Sequence, residues 1–169
     1  MRRLLLLAVL SLSSSLFSQV VVVGDSIMCS LAPKIEARLG HAVTRECKVG
    51  SGIKHWTHQR PSSDLMIVEV GTNDYKINPN TYRELVLKFL ATANTKRIIW
   101  IGIPPMPQNL DVRTRAINKV IKDAVMMDVR VEWIDPTPAI GPNSRTPDRI
   151  HLTNLGAIDV VNILPLPTR

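Results

Sequence analysis

The chain has 169 residues, of which 45% are hydrophobic and 4% are aromatic. This length predicts one domain, and the hydrophobic content excludes a disordered chain and supplies a mainly aliphatic core. The formal net charge is +7, but the basic residues are scattered and no basic stripe carries interleaved aromatic residues, so we expect no nucleic-acid partner.

Residues 1–18 are predicted to be a signal peptide. Arg2 and Arg3 precede a short apolar run that ends at Leu12, and a serine-rich stretch follows. The run is short for a membrane span. A retained anchor is the alternative, but it leaves almost no linker before the first predicted strand. We therefore expect an exported protein, periplasmic or extracellular, with a mature domain over 19–169 and no stable membrane insertion after cleavage.

The first predicted strand is the valine run 20–23, which ends at Gly24, Asp25 and Ser26. A continuous β-branched run is typical of a strand buried on both faces of a parallel sheet. The helix predicted over 27–39 begins at once, which places Ser26 at the strand's carboxyl end, where ligands bind in open α/β sheets. The free amides of a helix start also favour a developing oxyanion. The alternative is that Asp25 and Ser26 merely cap the helix.

Strands and helices alternate along the rest of the chain. Further strands are predicted over 41–49, 64–70, 96–103 and 129–134, and further helices over 78–94, 110–127 and from 153 or 154 to 164. Between them, a polar loop or short helix over 53–63 carries His55, Trp56, His58 and Arg60. The alternation predicts an α/β fold, a three-layer α/β/α sandwich with a five-stranded, flavodoxin-like parallel sheet.

Four polar loops are expected to gather at the carboxyl edge of this sheet. They are Gly24-Asp25-Ser26, Gly50-Ser51-Gly52, Gly71-Thr72-Asn73-Asp74 and Asp148-Arg149-Ile150-His151. The first three follow strands one, two and three, and the fourth follows strand five after a proline-rich loop. Asp25 and Asp74 are interpreted as residues that shape their turns.

The residue types in these loops suit acyl transfer. Ser26 is the candidate nucleophile, His151 the general base, and Asp148 the acid that orients the imidazole. The Ser26 N–H, a glycine N–H from Gly50 or Gly52, and the Asn73 side chain are the candidate oxyanion donors.

The order of these motifs resembles the SGNH, or GDSL-type, hydrolase family. The resemblance implies the SGNH hydrolase fold and gives Ser26, Asn73, Asp148 and His151 the roles of nucleophile, oxyanion donor, acid and base. Either Gly50 or Gly52 matches the family's second glycine, with a slight preference for Gly52. The family's usual glycine after the acid is replaced by Arg149, which puts a cation beside the catalytic pair.

The two cysteines, Cys29 and Cys47, fall at places that this topology makes neighbours. A disulfide between them and two buried free thiols both remain open. His55 and His58 lack partners at ligand spacing, so we expect no metal site. Trp56 is interpreted as a packing residue rather than a platform for sugar stacking.

The favoured function is an exported serine esterase that hydrolyses short-chain acyl esters, with small acyl esters or O-acetylated glycans as substrates and no cofactor. The alternatives are an O-acetyltransferase acting on glycans through the same triad and a catalytically inactive glycan-binding module. A flavin or nucleotide binder is disfavoured because the strand-end loops form no phosphate cradle.

Overall fold

A computed structural model describes residues 19–166 of the chain. The predicted signal peptide, 1–18, lies outside the described residues. Five strands form one parallel sheet in the order β2-β1-β3-β4-β5. They are β1 Val20–Gly24, β2 Thr44–Cys47, β3 Ser63–Glu69, β4 Thr95–Ile101 and β5 Val131–Ile134.

Helices cover both faces of the sheet, as the sequence predicts. They are α1 Ser26–Leu39, α2 Pro79–Thr92, α3 Gln108–Val125 and α4 Asn154–Asn162, with short 3₁₀ helices at Ile53–Trp56 and Thr137–Ala139. The pair α1 and α4 packs on one face, and the pair α2 and α3 packs on the other. The three-layer α/β/α sandwich is therefore confirmed.

The valine run of β1 is explained by its place in the sheet. Val20 and Val22 point into the core beneath α1 and α4, whereas Val21 and Val23 point into the core beneath α2 and α3. Successive side chains of a strand face opposite sides, so a strand covered on both sides must be apolar throughout. β1 is hydrogen-bonded to β2 on one side and β3 on the other.

The second strand is shorter than predicted. Only Thr44–Cys47 pairs with β1, whereas the sequence indicates a strand over 41–49. β2 lies at the edge of the sheet, where Thr44 and Arg45 are exposed. An edge strand ends where its single neighbour ends, and β1 stops at Gly24, opposite Cys47.

The ends of α1 follow the expected capping chemistry. The Asp25 side chain accepts a hydrogen bond from the Ile27 N–H at 2.9 Å, and Gly40 ends the helix with a left-handed φ of 78°. Cys29 of α1 and Cys47 of β2 form a disulfide, with their Cα atoms 5.4 Å apart. Within residues 19–166, no helix is both long enough and apolar enough to cross a membrane.

Candidate active site

The turn that presents Ser26 is tightly packed against β3. A Cβ atom added at Gly24 would lie 1.9 Å from the backbone oxygen of Glu69, so a side chain cannot be accommodated there. The chain then turns directly into α1, whose first residue is Ser26. Ser26 is 8% exposed and lies at the carboxyl edge of the sheet. Ser26 therefore has the position of a nucleophile on a strand-to-helix turn.

Ser26, His151 and Asp148 form one hydrogen-bonded chain. The Nε2 atom of His151 lies 3.1 Å from the Ser26 Oγ atom. The Nδ1 atom of the same ring lies 2.6 Å from Asp148 Oδ2. A carboxylate at Nδ1 holds that nitrogen protonated and leaves Nε2 to accept the serine proton. The three side chains that the sequence predicts to act together are thus brought into contact in the predicted order.

The carboxylate of Asp148 is held in its ionised form. Hydrogen bonds from the Thr146 hydroxyl, at 2.6 Å, and then from His151 keep the pKa of Asp148 well below its usual range. The backbone N–H groups of Ile150 and His151 also donate to its Oδ1 atom, at 2.8 Å and 3.0 Å. Asp148 therefore remains an anion that can orient and stabilise a protonated imidazole.

The replacement of the family's glycine by Arg149 has a visible consequence. Arg149 has a φ of 58°, which is the left-handed region, and it is the non-glycine residue with positive φ in the described chain. A side chain in that conformation costs about 1–2 kcal/mol because Cβ approaches the following carbonyl oxygen. The turn between Asp148 and His151 therefore retains the conformation that glycine would adopt without strain.

Two residues that the sequence did not single out hold the loop of Asp148 and His151. Arg145 donates from one guanidinium nitrogen to the Ile150 carbonyl and from another to the Pro105 carbonyl. Thr146 donates its N–H to the His151 carbonyl at 3.0 Å, in addition to its hydroxyl bond to Asp148. A short polar stretch directly before the D-x-x-H motif is the sequence signal that could have found them.

The candidate oxyanion donors Ser26, Gly52 and Asn73 differ in the hydrogen bonds that they make within the protein. Among residues 19–166, no protein group accepts a hydrogen bond from the N–H of Ser26 or from that of Gly52. The Asn73 Nδ2 group donates to the Ser51 carbonyl at 3.0 Å, which orients the amide. Because an amide nitrogen carries two hydrogens, one remains for a ligand. These donors come from the loops that follow β1, β2 and β3.

Gly50 and Gly52 are required for different physical reasons. Gly50 is exposed, has a φ of +75°, and its added Cβ would meet nothing within 4 Å, so it serves the turn. Gly52 packs against the next loop, where an added Cβ would lie 1.9 Å from Asp74 Oδ1. Asp74 Oδ2 also accepts the Ile53 N–H at 2.8 Å. Gly52 is thus joined to the loop that carries Asn73, although the N–H of Gly50 also lacks a partner among the described residues.

A pair of buried carboxyl groups lies next to Ser26, and the sequence reasoning missed one of them. Asp25 and Glu69 are both 0% exposed. Burial raises the pKa of Glu69 well above its usual range, and the adjacent charge of Asp25 raises it further. Burial also raises the pKa of Asp25, while its hydrogen bonds lower it. An acidic residue inside the apolar run of β3 is the signal that could have identified Glu69.

The loop after β2 is anchored by Trp56 and Arg60. Trp56 is buried and its indole N–H donates to Ser51 Oγ at 3.1 Å, so it packs the loop as predicted. Arg60 is 3% exposed although it lies in the segment predicted as a polar loop or short helix. Its guanidinium donates to Glu46 Oε2 and to the Trp56 carbonyl, each at 2.7 Å. In the part of the chain that the structure describes, no three His, Cys, Asp or Glu side chains converge as metal ligands.

Solved structures with the same fold are SGNH-type proteins. A GDSL-like lipase from Bacteroides thetaiotaomicron has a TM-score of 0.67 at 16% identity, with 86% of this chain and 84% of that chain covered. A lipolytic G-D-S-L family protein from Veillonella parvula has a TM-score of 0.66 at 15% identity, with coverages of 85% and 94%. A family 3 carbohydrate esterase from Clostridium thermocellum has a TM-score of 0.61 at 16% identity, with coverages of 86% and 92%.

Comparison of the sequence with protein families identifies the family to which the chain belongs. No curated protein matches the chain by sequence. The profile of one family, described as protein of unknown function (DUF459), matches residues 19–164, which is nearly all of the described chain. The resemblance to the SGNH hydrolases is confirmed at the level of the fold. The chain therefore belongs to the DUF459 family and has the SGNH hydrolase fold.

Proposed function

We propose that the protein is an exported serine esterase that hydrolyses short-chain acyl esters, with O-acetyl esters of glycans as the favoured substrates. The single observation that carries this proposal is the hydrogen-bonded chain from Ser26 through His151 to Asp148. A serine hydroxyl that contacts an imidazole, which in turn contacts a carboxylate, is the arrangement that activates a nucleophile for acyl transfer.

In the first half of the reaction, the Ser26 Oγ atom attacks the ester carbonyl carbon while His151 Nε2 accepts the hydroxyl proton. The resulting oxyanion is bound by the N–H of Ser26, a glycine N–H of the 50–52 loop, and the Asn73 side chain. Collapse of the tetrahedral intermediate breaks the bond to the alcohol, which takes the proton from His151.

In the second half, water attacks the acyl-serine and gives its proton to His151. The tetrahedral intermediate releases the carboxylic acid and returns the proton to Ser26. Asp148 stays ionised throughout, because Thr146 and three further hydrogen bonds stabilise its charged form. It stabilises each imidazolium that forms, so no metal or organic cofactor is needed for these steps.

The preference for small acyl groups is supported by the short segments around the site. α1 begins at Ser26 itself, and a 3₁₀ helix begins immediately after Gly52. Neither of these two segments therefore has the length to enclose a long acyl group. The likeness to a carbohydrate esterase and a GDSL-like lipase supports ester chemistry on this fold, and the first of these supports an acetylated glycan as substrate.

The test is hydrolysis of 4-nitrophenyl esters of increasing acyl length, followed by acetate release from acetylated xylan. We expect acetate and butyrate esters to be hydrolysed faster than palmitate, with loss of roughly 10⁶-fold in kcat for Ser26→Ala. The control is Ser62→Ala, an exposed serine just before β3, which should keep wild-type activity. Equal rates for short and long esters would contradict the acyl-length part, and undiminished activity of Ser26→Ala would contradict the mechanism.

A further inference from the structure

The carboxyl groups of Asp25 and Glu69 meet directly behind the nucleophile turn. Glu69 is the last residue of β3, paired in register with Gly24 at the end of β1. The Asp25 N–H donates to the Glu69 backbone oxygen at 3.3 Å, so the two residues also share a backbone contact. Both side chains are 0% exposed. Two carboxylates in such a place cannot both be ionised without a large cost.

The hydrogen bonds show which of the two carries a proton. Asp25 Oδ1 accepts the Ile27 N–H at 2.9 Å and Oδ2 accepts the Thr72 N–H at 3.1 Å, so both oxygens are supplied with donors. Glu69 Oε1 faces the Thr72 hydroxyl at 3.4 Å, whereas Oε2 has no donor among the described residues. A proton on Glu69 turns its carboxyl into a donor toward Asp25, which removes the unsatisfied atom.

We propose that Glu69 is a positioning residue: its protonated carboxyl donates a hydrogen bond to Asp25 and thereby fixes the Ser26 N–H relative to the Asn73 side chain. The proposal rests on the proposed function, because it assigns those two groups to the oxyanion. Glu69 itself touches neither substrate nor the reacting atoms.

Asp25 is the link between the two oxyanion donors. One of its oxygens binds the amide of Ile27, the residue after Ser26, and the other binds the amide of Thr72, the residue before Asn73. A single carboxylate therefore sets the spacing of the two loops. Its remaining freedom is removed by the hydrogen bond from Glu69, and a displacement of about 1 Å in a catalytic group can cost about a hundredfold in rate.

Charged and titratable groups on several elements interact with Glu69. They are Asp25 on the β1–α1 turn, Tyr82 on α2 and Arg145 on the loop before the D-x-x-H motif, and Tyr82 also interacts with Asp74 on the loop after β3. Arg145 is the cation of this set and is half-buried. Burial is the largest cause of the raised pKa of Glu69, and the neighbouring Asp25 is the next. Hydrogen bonds from Thr72 and from the Met28 backbone lower this pKa.

This arrangement predicts the sign of a pH dependence. The pKa of Glu69 in the folded chain is raised above its ordinary value of 4.5. Below pH 4.5 both the folded and the unfolded chain hold this proton, and the contribution of Glu69 to stability is complete. As the pH rises above 4.5 the unfolded chain releases the proton first, so this contribution is lost until the pH passes the folded pKa. Glu69→Gln retains a donor toward Asp25 but does not titrate, so it should remove this part of the pH dependence.

The experiment compares wild type with Glu69→Gln, Glu69→Leu and the control Glu84→Gln, an exposed glutamate on α2. The Tm is measured from pH 4 to 9, and kcat and KM are measured with 4-nitrophenyl acetate. We expect Glu69→Gln to keep kcat within about threefold and to flatten the fall of Tm with pH. Glu69→Leu should lower kcat about ten- to hundredfold with KM within about threefold. Glu84→Gln should match wild type in every measurement.

Isotope-edited infrared spectra give a readout that does not depend on activity. Wild type should show a protonated carboxylic acid at neutral pH that is absent from Glu69→Gln. The proposal is overturned if that band is missing, if the Tm–pH slope of Glu69→Gln equals that of wild type, or if the folded Gln and Leu variants lose kcat equally. If wild type shows the carboxylic acid band and the fall of Tm with pH but has no esterase activity, the proposed function and the oxyanion role are overturned. The hydrogen bond from protonated Glu69 to Asp25 would then still stand.

Discussion

The two halves of the candidate site are built in different ways. The half with Ser26 and Asn73 rests on buried carboxyl groups: Asp25 and Glu69 are 0% exposed and Asp74 is 4% exposed. The half with Asp148 and His151 lies on an outer loop, where their side chains are 47% and 42% exposed. Long-range contacts between strand ends hold the first half, and hydrogen bonds within a few residues hold most of the second.

The two halves should therefore respond differently to substitution, one in both stability and activity and the other mainly in activity. In the buried half, Asp25 and Asp74 each join two loops through backbone amides, so a change there should disturb both the fold and the proposed oxyanion donors. In the exposed half, the Asp148 carboxylate binds Thr146, Ile150 and His151 within its own loop. Substitutions there should remove activity while the Tm changes little.

Asp148→Asn tests the exposed half and has the largest expected effect in this comparison. The amide keeps acceptor capacity for the loop's N–H groups but loses the charge that fixes and stabilises the imidazole. We expect kcat to fall by roughly 10⁴-fold with a Tm shift of no more than a few degrees. Asp123→Asn on α3 is exposed and serves as the control. A large loss of Tm in Asp148→Asn would contradict the view that this loop contributes chemistry more than stability.

Asn73→Ala tests the proposed oxyanion donor Asn73. Removing one such donor should lower kcat by roughly 10²–10³-fold, while substrate binding measured by KM changes much less. The exposed Asn109 at the start of α3 provides a control in Asn109→Ala, which should have wild-type kinetics. A loss of less than about threefold would show that the Asn73 amide does not face the oxyanion.

The disulfide joins the nucleophile helix to the edge strand, and its loss should weaken the buried half. The sequence separation of Cys29 and Cys47 is 18 residues, for which loop closure predicts a destabilisation of about 3 kcal/mol. Reduced wild type and the Cys29→Ala/Cys47→Ala variant should show the same fall in unfolding free energy by urea denaturation. An unchanged midpoint after full reduction would contradict this role.

Arg149→Gly has the smallest expected effect, and it should raise the unfolding free energy, whereas loss of the disulfide should lower it. Glycine adopts the φ of 58° without a Cβ contact, so the unfolding free energy should rise by about 1 kcal/mol. Arg149→Ala keeps the Cβ atom and removes the charge, and should therefore gain nothing. Equal gains in both variants would assign the effect to the charge instead of the backbone.

The fold and much of the site could be predicted from the sequence because the signals are local. The valine run gives a strand buried on both faces, and the polar residues after it are at a strand end by necessity. The same reasoning brings Asn73 to the sheet edge. His151 lies far along the chain, but it follows β5 and therefore belongs to the same edge of the sheet, where its residue type predicts a base for Ser26. Its Nε2 atom lies 3.1 Å from the Ser26 Oγ atom.

The parts that could not be predicted depend on contacts between distant segments. The burial of Arg60 results from Glu46 and from backbone carbonyls of its own loop, which the local pattern does not reveal. The length of β2 is set by the end of β1. The proposed protonation of Glu69 follows from two features of the tertiary structure. Asp25 lies beside its carboxyl group, and no described donor reaches its Oε2 atom.

The most direct test of an activated Ser26 is intact-mass labelling with a fluorophosphonate. We predict one adduct on wild type and on the exposed-serine control Ser62→Ala, mapped to Ser26, no adduct on Ser26→Ala, and strongly slowed labelling of His151→Ala. Absence of an adduct on folded wild type, or equal labelling of Ser26→Ala, would contradict the account that His151 and Asp148 make this serine a nucleophile.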